Sequence, residues 1–548
     1  MLAKDYKIRA FIVLAVFFLM FTVIIIRLFL VQIYQKDFFK VLAKHQHEIS
    51  ITINPPRANI LDRFGKVLAF NREIPSAFIL PHELKHAQKT EKFLKRFFPE
   101  VYERMQVYPE KYFLWVERKL TPQRYAQLKA YGIQDLHFIN EPQRFYPYQS
   151  LAHVLGFTNI DNGGISGVEL EFTKKLSGHA TTLRLEKDAR SGLCYFSKSI
   201  EREGQEGEQI SLTIDSGLQA IAYEELQRTV HDFKAKAGAA LVMNPDNGEI
   251  LAMANYPGFD PNQTKIQALD ITKNTIITEC FELGSVLKIM CALAGFEEGV
   301  VGYDELIDCE GQTTHIDGFK VENFTYALLN ALKEHNNILP FHDVIRYSSN
   351  VGVAKVAKRL GPKLYRHLRR VGLGFKTGVQ FPGERAGFVN HPDNWSRSSI
   401  IVLSFGYESM ASLLQLGRAF SIIANGGYTL QPRLMMDGQA PETPRRLYKE
   451  TTIAHMKNLL ELIGKKYAVN GYRTMGKTGT ARCVKNGHYS KTDHNFTFAG
   501  ILERDGYRRV IVTFIKEPEK ANLWASEVAA PLFQSIAEKM VIHDTFVS

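Results

Sequence analysis

The sequence predicts an α+β protein carried on a single membrane-spanning helix. Three observations point there. An uncharged apolar run lies near the N-terminus, two strong β-hairpins stand far apart in the second half, and helical stretches fill the space between them. Strands at both ends of a region with helices between suggest an antiparallel sheet closing around a helical insert, flanked by helices. At 548 residues the chain suggests about two to four domains. Its 45% apolar content is that of a globular protein and excludes a disordered chain.

The apolar run "AFIVLAVFFLMFTVIII" spans Ala10 to Ile26, and its character resumes after Arg27. That length suits a helix crossing a bilayer, and the expected span is 10–33. Lys4, Lys7 and Arg9 precede it, which favours a cytoplasmic tail over residues 1–9. No small-x-small cleavage pattern follows, so an uncleaved anchor is expected rather than a removed signal peptide. The remainder is then extracytoplasmic.

Residues 34–225 read as an elongated α/β stalk. A polar continuation of the first helix is expected at 34–50. A hairpin is expected around Asp62-Arg63-Phe64-Gly65 and helical spacing over 85–135. A Gly-rich loop then precedes a short helix ending at Gly178, and "TTLRLEKD" and "EQISLTID" read as strands. Residues 226–548 form the second domain. "AGAALVMNPDNGEILAMANYP" is two strands around Asn-Pro-Asp-Asn-Gly, and "FTFAGILERDGYRRVIVTFIKEP" is a hairpin around Arg504-Asp505-Gly506. Helices are expected over 285–299, 350–372 and 413–424.

A net charge of +11 would suit nucleic acid, but no basic helix, zinc spacing or aromatic-basic motif accompanies it, so no nucleic acid is expected. An anionic membrane or acidic polymer fits equally well. The five cysteines, Cys194, Cys280, Cys291, Cys309 and Cys483, contain no CxxC, so no metal site is expected. Cys280 and Cys291 flank Ser285 and are read as buried thiols, with a bridge as the other possibility.

Chemistry enters with "FELGSVLKIM". Ser285 and Lys288 are three apart at a helix start, which places both on one face. A chain this long holds roughly two such pairs by chance, and a capping serine beside a surface lysine has the same spacing. Two further patterns follow in order. "RYSSNVG" holds Ser348, Ser349 and Asn350, which a helix cap would also explain. "MGKTGTA" holds Lys477, Thr478, Gly479 and Thr480. Lys-Thr-Gly is a common turn, and a second copy stands at Lys376-Thr377-Gly378. The chemistry explains the ordered set. A serine hydroxyl needs a base, a desolvated lysine beside another cation can be one, and free N–H groups at a helix start can hold an oxyanion. Penicillin-binding proteins and class A β-lactamases use this set, with Asp in the middle motif.

The chain therefore resembles the class B penicillin-binding proteins, membrane-anchored D,D-transpeptidases that cross-link peptidoglycan. "RANILDRFGKVLA", "LTIDSGLQ", "NPDNGEILAMANYPGFDPN" and "SFGYESMASLLQL" carry the likeness, and "HVLGFTNIDNGGISGVELEF" is similar to the septal, FtsI-type members. Leu283 stands where the family usually has proline, Ala58 where it has glycine, and Ser412-Leu413 where it has Thr-Pro. The resemblance implies a pedestal followed by a penicillin-binding transpeptidase domain. It implies Ser285 as the acylated nucleophile, Lys288 as its base, Ser348 as a proton relay and Asn350 as a holder of the substrate amide. Lys477, Thr478, Gly479 and Thr480 would receive the terminal carboxylate of a D-Ala-D-Ala stem peptide, and the N–H groups of Ser285 and Thr480 would form the oxyanion hole. No cofactor is implied. Implied partners are donor and acceptor stem peptides, β-lactams, a membrane-embedded glycan polymerase of the FtsW type and other division proteins. The implied place is the inner membrane, with the catalytic domain in the periplasm. Side-wall synthesis, β-lactam hydrolysis or sensing, and a non-catalytic division scaffold are the alternatives.

Overall fold

The computed structural model describes residues 2–40, 48–53, 55–108, 113–187, 194–263, 269–436, 438, 443–485, 487–520 and 523–547. The chain divides into two compact units, residues 1–56 with 177–207, and residues 57–176 with 208–548.

The first unit opens with helix α1 (Leu2–Phe29), continued by a π-helical turn at Leu30–Tyr34. Among the described residues this is the one helix long and apolar enough to cross a membrane, and none of the residues of its apolar stretch is buried. Helix resumes over residues 36–40, residues 41–47 lie outside the described residues, and Glu48–Ile53 is a strand. The helical continuation expected at 34–50 therefore ends before residue 48. That strand pairs antiparallel with Thr181–Lys187, which pairs in turn with Cys194–Arg202.

The second unit begins with the hairpin expected around Asp62. The Asp62 carboxylate accepts from Phe64 and Lys66 N–H at 2.9 and 2.8 Å, and Gly65 takes the left-handed φ of +82° that closes the turn. Asp62 also accepts from the Ser216 hydroxyl at 2.7 Å, and Arg63 pairs with Glu249 at 3.2 Å. Nearby, Arg57 and Arg144 close on the fully buried Glu169 carboxylate, and Tyr146 donates to it at 3.3 Å. An unpaired charge at this depth would cost several kcal/mol, on the order of 3 to 5, so the three ionic side chains fix this region as a set.

Five antiparallel strands form the main sheet: β1 (Ala235–Met243), β2 (Ile250–Tyr256), β3 (Arg473–Lys485), β4 (His488–Arg504) and β5 (Tyr507–Pro518). Their order is β2-β1-β5-β4-β3, so the first hairpin docks against the last one and β3 is an edge. Period-two alternation sorts the side chains to two faces. From β5, Val510, Val512 and Phe514 join one core, while Ile511 and Ile515 join the other. Helices α2 (Ser216–Asp232) and α6 (Ala529–Val547) cover the second face with Leu218, Leu226, Phe533 and Ile536. The first face packs on α5 (Leu413–Ala424) through Leu416 and Phe420, and α3 (Lys288–Glu297) shares that core through Met290. Helix α2 runs across the border expected between residues 225 and 226, because Asp215 caps it and its apolar face lies on β1 and β2.

The stretch 350–372 is two helices rather than one. Helix α4 (Asn350–Leu360) stops at Gly361, whose φ of +55° no helix accepts, and Lys363–Arg370 follows. In "EQISLTID", Ile210–Ser211 pairs as a strand with Ile60–Leu61, Leu212 continues with a bridge to Met435, and Asp215 then caps α2.

Candidate active site

Ser285 lies in a 3-10 turn, Gly284–Leu287, that runs into α3 at Lys288. Gly284 has φ +57°, and a Cβ there would stand 2.6 Å from the Thr480 carbonyl oxygen. The turn can therefore lie against β3 only with glycine at this position. Leu283, before it, is buried and takes helical φ and ψ of −87° and −10°, so the turn start is held by packing.

Lys288 is fully buried, as the first residue of α3. Its Nζ donates to the Ser348 carbonyl at 2.6 Å and to Ser348 Oγ at 3.0 Å. Lys477 of β3 is also buried, and its Nζ donates to Ser348 Oγ at 3.4 Å and to the Thr478 carbonyl at 3.2 Å. One hydroxyl thus sits between two buried amines. Burial lowers the Lys288 amine well below its ordinary value, and the nearby Lys477 charge lowers it further. Burial brings Lys477 down to about 8.

Ser348 reaches this position with φ +67°, an unusual conformation for serine. Its neighbours hold it there. The Ser349 hydroxyl caps α4 by accepting from Gly352 N–H at 3.0 Å, and it donates to Asn323 Oδ1 at 3.1 Å. Asn350 N–H donates to the same oxygen at 3.0 Å, and its side-chain amide donates to the Glu322 carbonyl at 2.7 Å. Asn323 is buried and gives its own amide to the Gly311 carbonyl at 2.6 Å. Asn323 carries no signal in the sequence, since a lone Asn between a short hairpin and a capping threonine has no periodicity or motif spacing. The helix-cap reading of Ser-Ser-Asn holds for Ser349, while Ser348 faces the amines.

Along β3, Lys477 and Gly479 are buried while Thr478 and Thr480 are half-exposed, as strand alternation requires. A Cβ on Gly479 would come within 2.5 Å of both the Leu283 carbonyl oxygen and the Val286 side chain. Thr480 Oγ1 accepts from Ala525 N–H at 3.3 Å. At the rim, Tyr489 of β4 donates to Glu282 at 3.0 Å, and burial raises that carboxyl above its ordinary value. Cys291, in α3, is a buried free thiol, and Cys280 is a half-buried one.

The structure thus brings Lys288, Ser348 and Lys477 within hydrogen-bond distance. Ser285 lies one turn before Lys288, Asn350 opens α4 beside Ser348, and Thr478, Gly479 and Thr480 follow Lys477 along the strand. Lys376-Thr377-Gly378 is not among them. It lies in an irregular loop facing Arg418 and Gln431. Such a set of groups can activate a hydroxyl, move protons along a short chain of donors and hold an anion. Among the described residues the one cluster with metal-ligating spacing is Asp215, His543 and Asp544. Its atoms are committed otherwise: Asp215 caps α2 and pairs with His543 at 2.9 Å, and Asp544 accepts from Tyr507 at 2.7 Å.

The family described as the penicillin binding protein transpeptidase domain matches residues 238–538, and the penicillin-binding protein dimerisation domain matches residues 52–212. The chain is 30% identical over 526 residues to the probable peptidoglycan D,D-transpeptidase PbpC of Pseudomonas aeruginosa, covering 93% of this chain and 90% of that protein. It is 29% identical over 503 residues to the peptidoglycan D,D-transpeptidase FtsI of Escherichia coli, covering 88% and 83%. The crystal structure of penicillin binding protein 3 from Mycobacterium tuberculosis, complexed with aztreonam, superposes with a TM-score of 0.69 at 25% identity, covering 90% of this chain and 97% of that one.

Proposed function

The chain belongs to the class B penicillin-binding proteins of the FtsI type, serine D,D-transpeptidases of peptidoglycan, and on that premise we propose that its acyl transfer runs through Ser285. The observation that carries this is the Ser348 hydroxyl between two buried amines, one of which, Lys288, follows Ser285 by one turn.

A lysine whose pKa burial and a second cation lower well below its ordinary value is more readily available as a base at neutral pH. Lys288 accepts the Ser285 proton as Oγ attacks the carbonyl carbon of the penultimate D-Ala. The C–O bond forms and the carbonyl oxygen becomes an oxyanion, received by the N–H groups of Ser285 and Thr480. Collapse of this intermediate breaks the C–N bond. Ser348 passes a proton to the departing D-Ala nitrogen and regains one from Lys288. Lys477, with the Thr478 and Thr480 hydroxyls, holds the terminal carboxylate through charge-assisted hydrogen bonds. Asn350 holds the substrate amide. An amine from a neighbouring stem then attacks the acyl-enzyme by the reverse sequence and restores Ser285.

A β-lactam presents a similar carbonyl and carboxylate, so the protein is a β-lactam target, a reading supported by the aztreonam complex of the mycobacterial protein. The likeness of "HVLGFTNIDNGGISGVE" to FtsI-type members supports a septal role beside a membrane-embedded glycan polymerase. Lys4, Lys7 and Arg9 before the anchor support a cytoplasmic N-terminus and a periplasmic catalytic domain. The matches to 52–212 and 238–538 support a division into a stalk over 34–225 and a transpeptidase domain over 226–548. Incubating the full-length protein with labelled penicillin and mapping the adduct by mass spectrometry tests the site. An adduct on another residue, or rapid drug hydrolysis, would refute it. Depletion in the native host tests the septal role: blocked division with continued growth is expected, whereas rounded, dividing cells would assign it to the side wall.

A further inference from the structure

Past Thr480 the site has a rim whose charges the acyl-transfer set does not use. Strand alternation along β3 puts Arg482 on the side that bears Thr478 and Thr480, and it is exposed. Glu282, three residues before Ser285, is half-buried, and its Oε1 accepts from the Tyr489 hydroxyl at 3.0 Å. Tyr489 lies across the β3–β4 hairpin from Val484 and meets Tyr407 edge-on, with ring centroids 5.3 Å apart. Burial raises the Tyr407 hydroxyl above its ordinary value, the Arg482 N–H and charge pull it back, and the Glu282 charge pushes it up. Both charges therefore act on one ring. Among the described residues neither Arg482 nor Glu282 forms an ion pair. Glu408, the other carboxylate that faces Glu282, accepts from the Asn390 amide at 2.6 Å.

With acyl transfer running through Ser285, as proposed above and as this inference requires, the stem peptide has a direction. Its terminal carboxylate lies at Lys477 and Thr478, and its scissile carbonyl at the Thr480 N–H. Because β3 is an edge, a donor stem can lie along it as an added strand. At about 3.3 Å per residue, the third residue of the stem falls about one to two positions past Thr480, beside Arg482. The Tyr489 contact holds Glu282 at the same end of the strand. A guanidinium takes a carboxylate in paired hydrogen bonds, and a carboxylate takes an ammonium. A side chain that ends in both groups on one carbon answers both charges of the rim. A lysine side chain answers Glu282 alone and leaves Arg482 without a partner.

We propose that Arg482 and Glu282 read the third residue of the donor stem and select a diamino-dicarboxylic acid there over lysine. Two synthetic pentapeptides test this, identical but for meso-diaminopimelate or L-lysine at position three. Each competes with labelled penicillin for Ser285 of the full-length protein in non-ionic detergent, and the slowing of labelling reads its binding. The diaminopimelate peptide should bind about fivefold or more tightly than the lysine peptide, as one partly exposed charge-assisted pair would give. In Arg482→Ala that ratio should fall to about one. In Arg482→Glu it should turn in favour of lysine, whose lone ammonium then meets a second carboxylate. Glu282→Gln should weaken both peptides alike, since both present an ammonium. Equal binding of the two by the parent protein, no binding of either, or a ratio that survives Arg482→Ala overturns selection at this rim while Ser285 labelling stands. Absence of the penicillin label from Ser285 would instead overturn the acyl-transfer reading, and selection at the rim with it.

Discussion

Two segments of this protein spell Lys-Thr-Gly, and they are built for different ends. At 477–479 the triplet lies on an edge strand, so alternation buries Lys477 and Gly479 and leaves the threonine half-exposed beside the Ser285 turn. At 376–378 the same triplet lies in an irregular loop, where the exposure is reversed: Lys376 is exposed and Thr377 buried. The copy's threonine and N–H groups already bind a carboxylate, Glu384 from the chain itself. A triplet therefore carries no function until the backbone assigns its side chains to faces.

The strongest break between the two regions is covalent. Ser285→Ala should abolish the penicillin adduct altogether, because the other hydroxyl at the Lys288 amine, Ser348 Oγ, is engaged by both lysines as the proton relay. Intact-mass measurement checks this, and an adduct persisting on any residue would show that the 477 region is not the only reactive one. Next come the lysines. Lys477→Ala removes a buried cation expected to hold the substrate carboxylate and should slow acylation by roughly a hundredfold, about 2 to 4 kcal/mol. Lys376→Ala removes an exposed charge outside the site, which solvent ions screen, and should change the rate less than about threefold. Stopped-flow acylation of both variants orders them, and equal losses would erase the distinction.

The glycines should separate next. A Cβ on Gly479 would meet the Leu283 carbonyl oxygen and Val286 at 2.5 Å, forcing the nucleophile turn away from β3. Gly479→Ala should therefore cost roughly tenfold or more in acylation, since small displacements of reacting groups are expensive. Gly378 has room, its nearest atom being Gln431 Nε2 at 3.1 Å, but it has φ +82°. Gly378→Ala should leave acylation unchanged and lower stability by about 1 to 2 kcal/mol, read in denaturant unfolding.

How much of this was legible in the sequence follows from the same contrast. Ser285 and Lys288 were legible because one turn fixes their relation, and β4 and β5 because Asp505-Gly506 closes their hairpin with φ of +44° and +89°. Lys477 could be preferred to Lys376 only through its neighbours, the alternating "FTFAGILE" strand beside it. The Gly361 break in the 350–372 stretch was not legible, since a glycine inside a helical pattern is often tolerated. Nor was the docking of β1 on β5, which joins residues far apart in the chain. Asn323 was hidden for the same reason: it acts through Ser349 and Asn350, which only the tertiary fold brings beside it.

The smallest expected effect is also the one that tests how burial tunes the site. Burial of Lys477 disfavours its charged form and lowers its pKa from the ordinary lysine range to about 8. Lys288 is lowered as well, with the Lys477 charge as a second cause. The two are needed in opposite states: Lys288 neutral to accept a proton, Lys477 charged to hold a carboxylate. Acylation should then rise with pH as Lys288 loses its proton and fall above about pH 8 as Lys477 loses its own. Between pH 7.5 and 8.5 the falling limb should cost only about two- to threefold, because a single group half-titrates across that interval. Arginine stays charged throughout this range, so Lys477→Arg should remove the falling limb even if the bulkier head lowers the overall rate. Lys376→Arg should leave the profile unchanged, since that lysine does not face Ser348. A falling limb that survives in Lys477→Arg would assign it to another group and would remove buried Lys477 as the reason the two triplets differ.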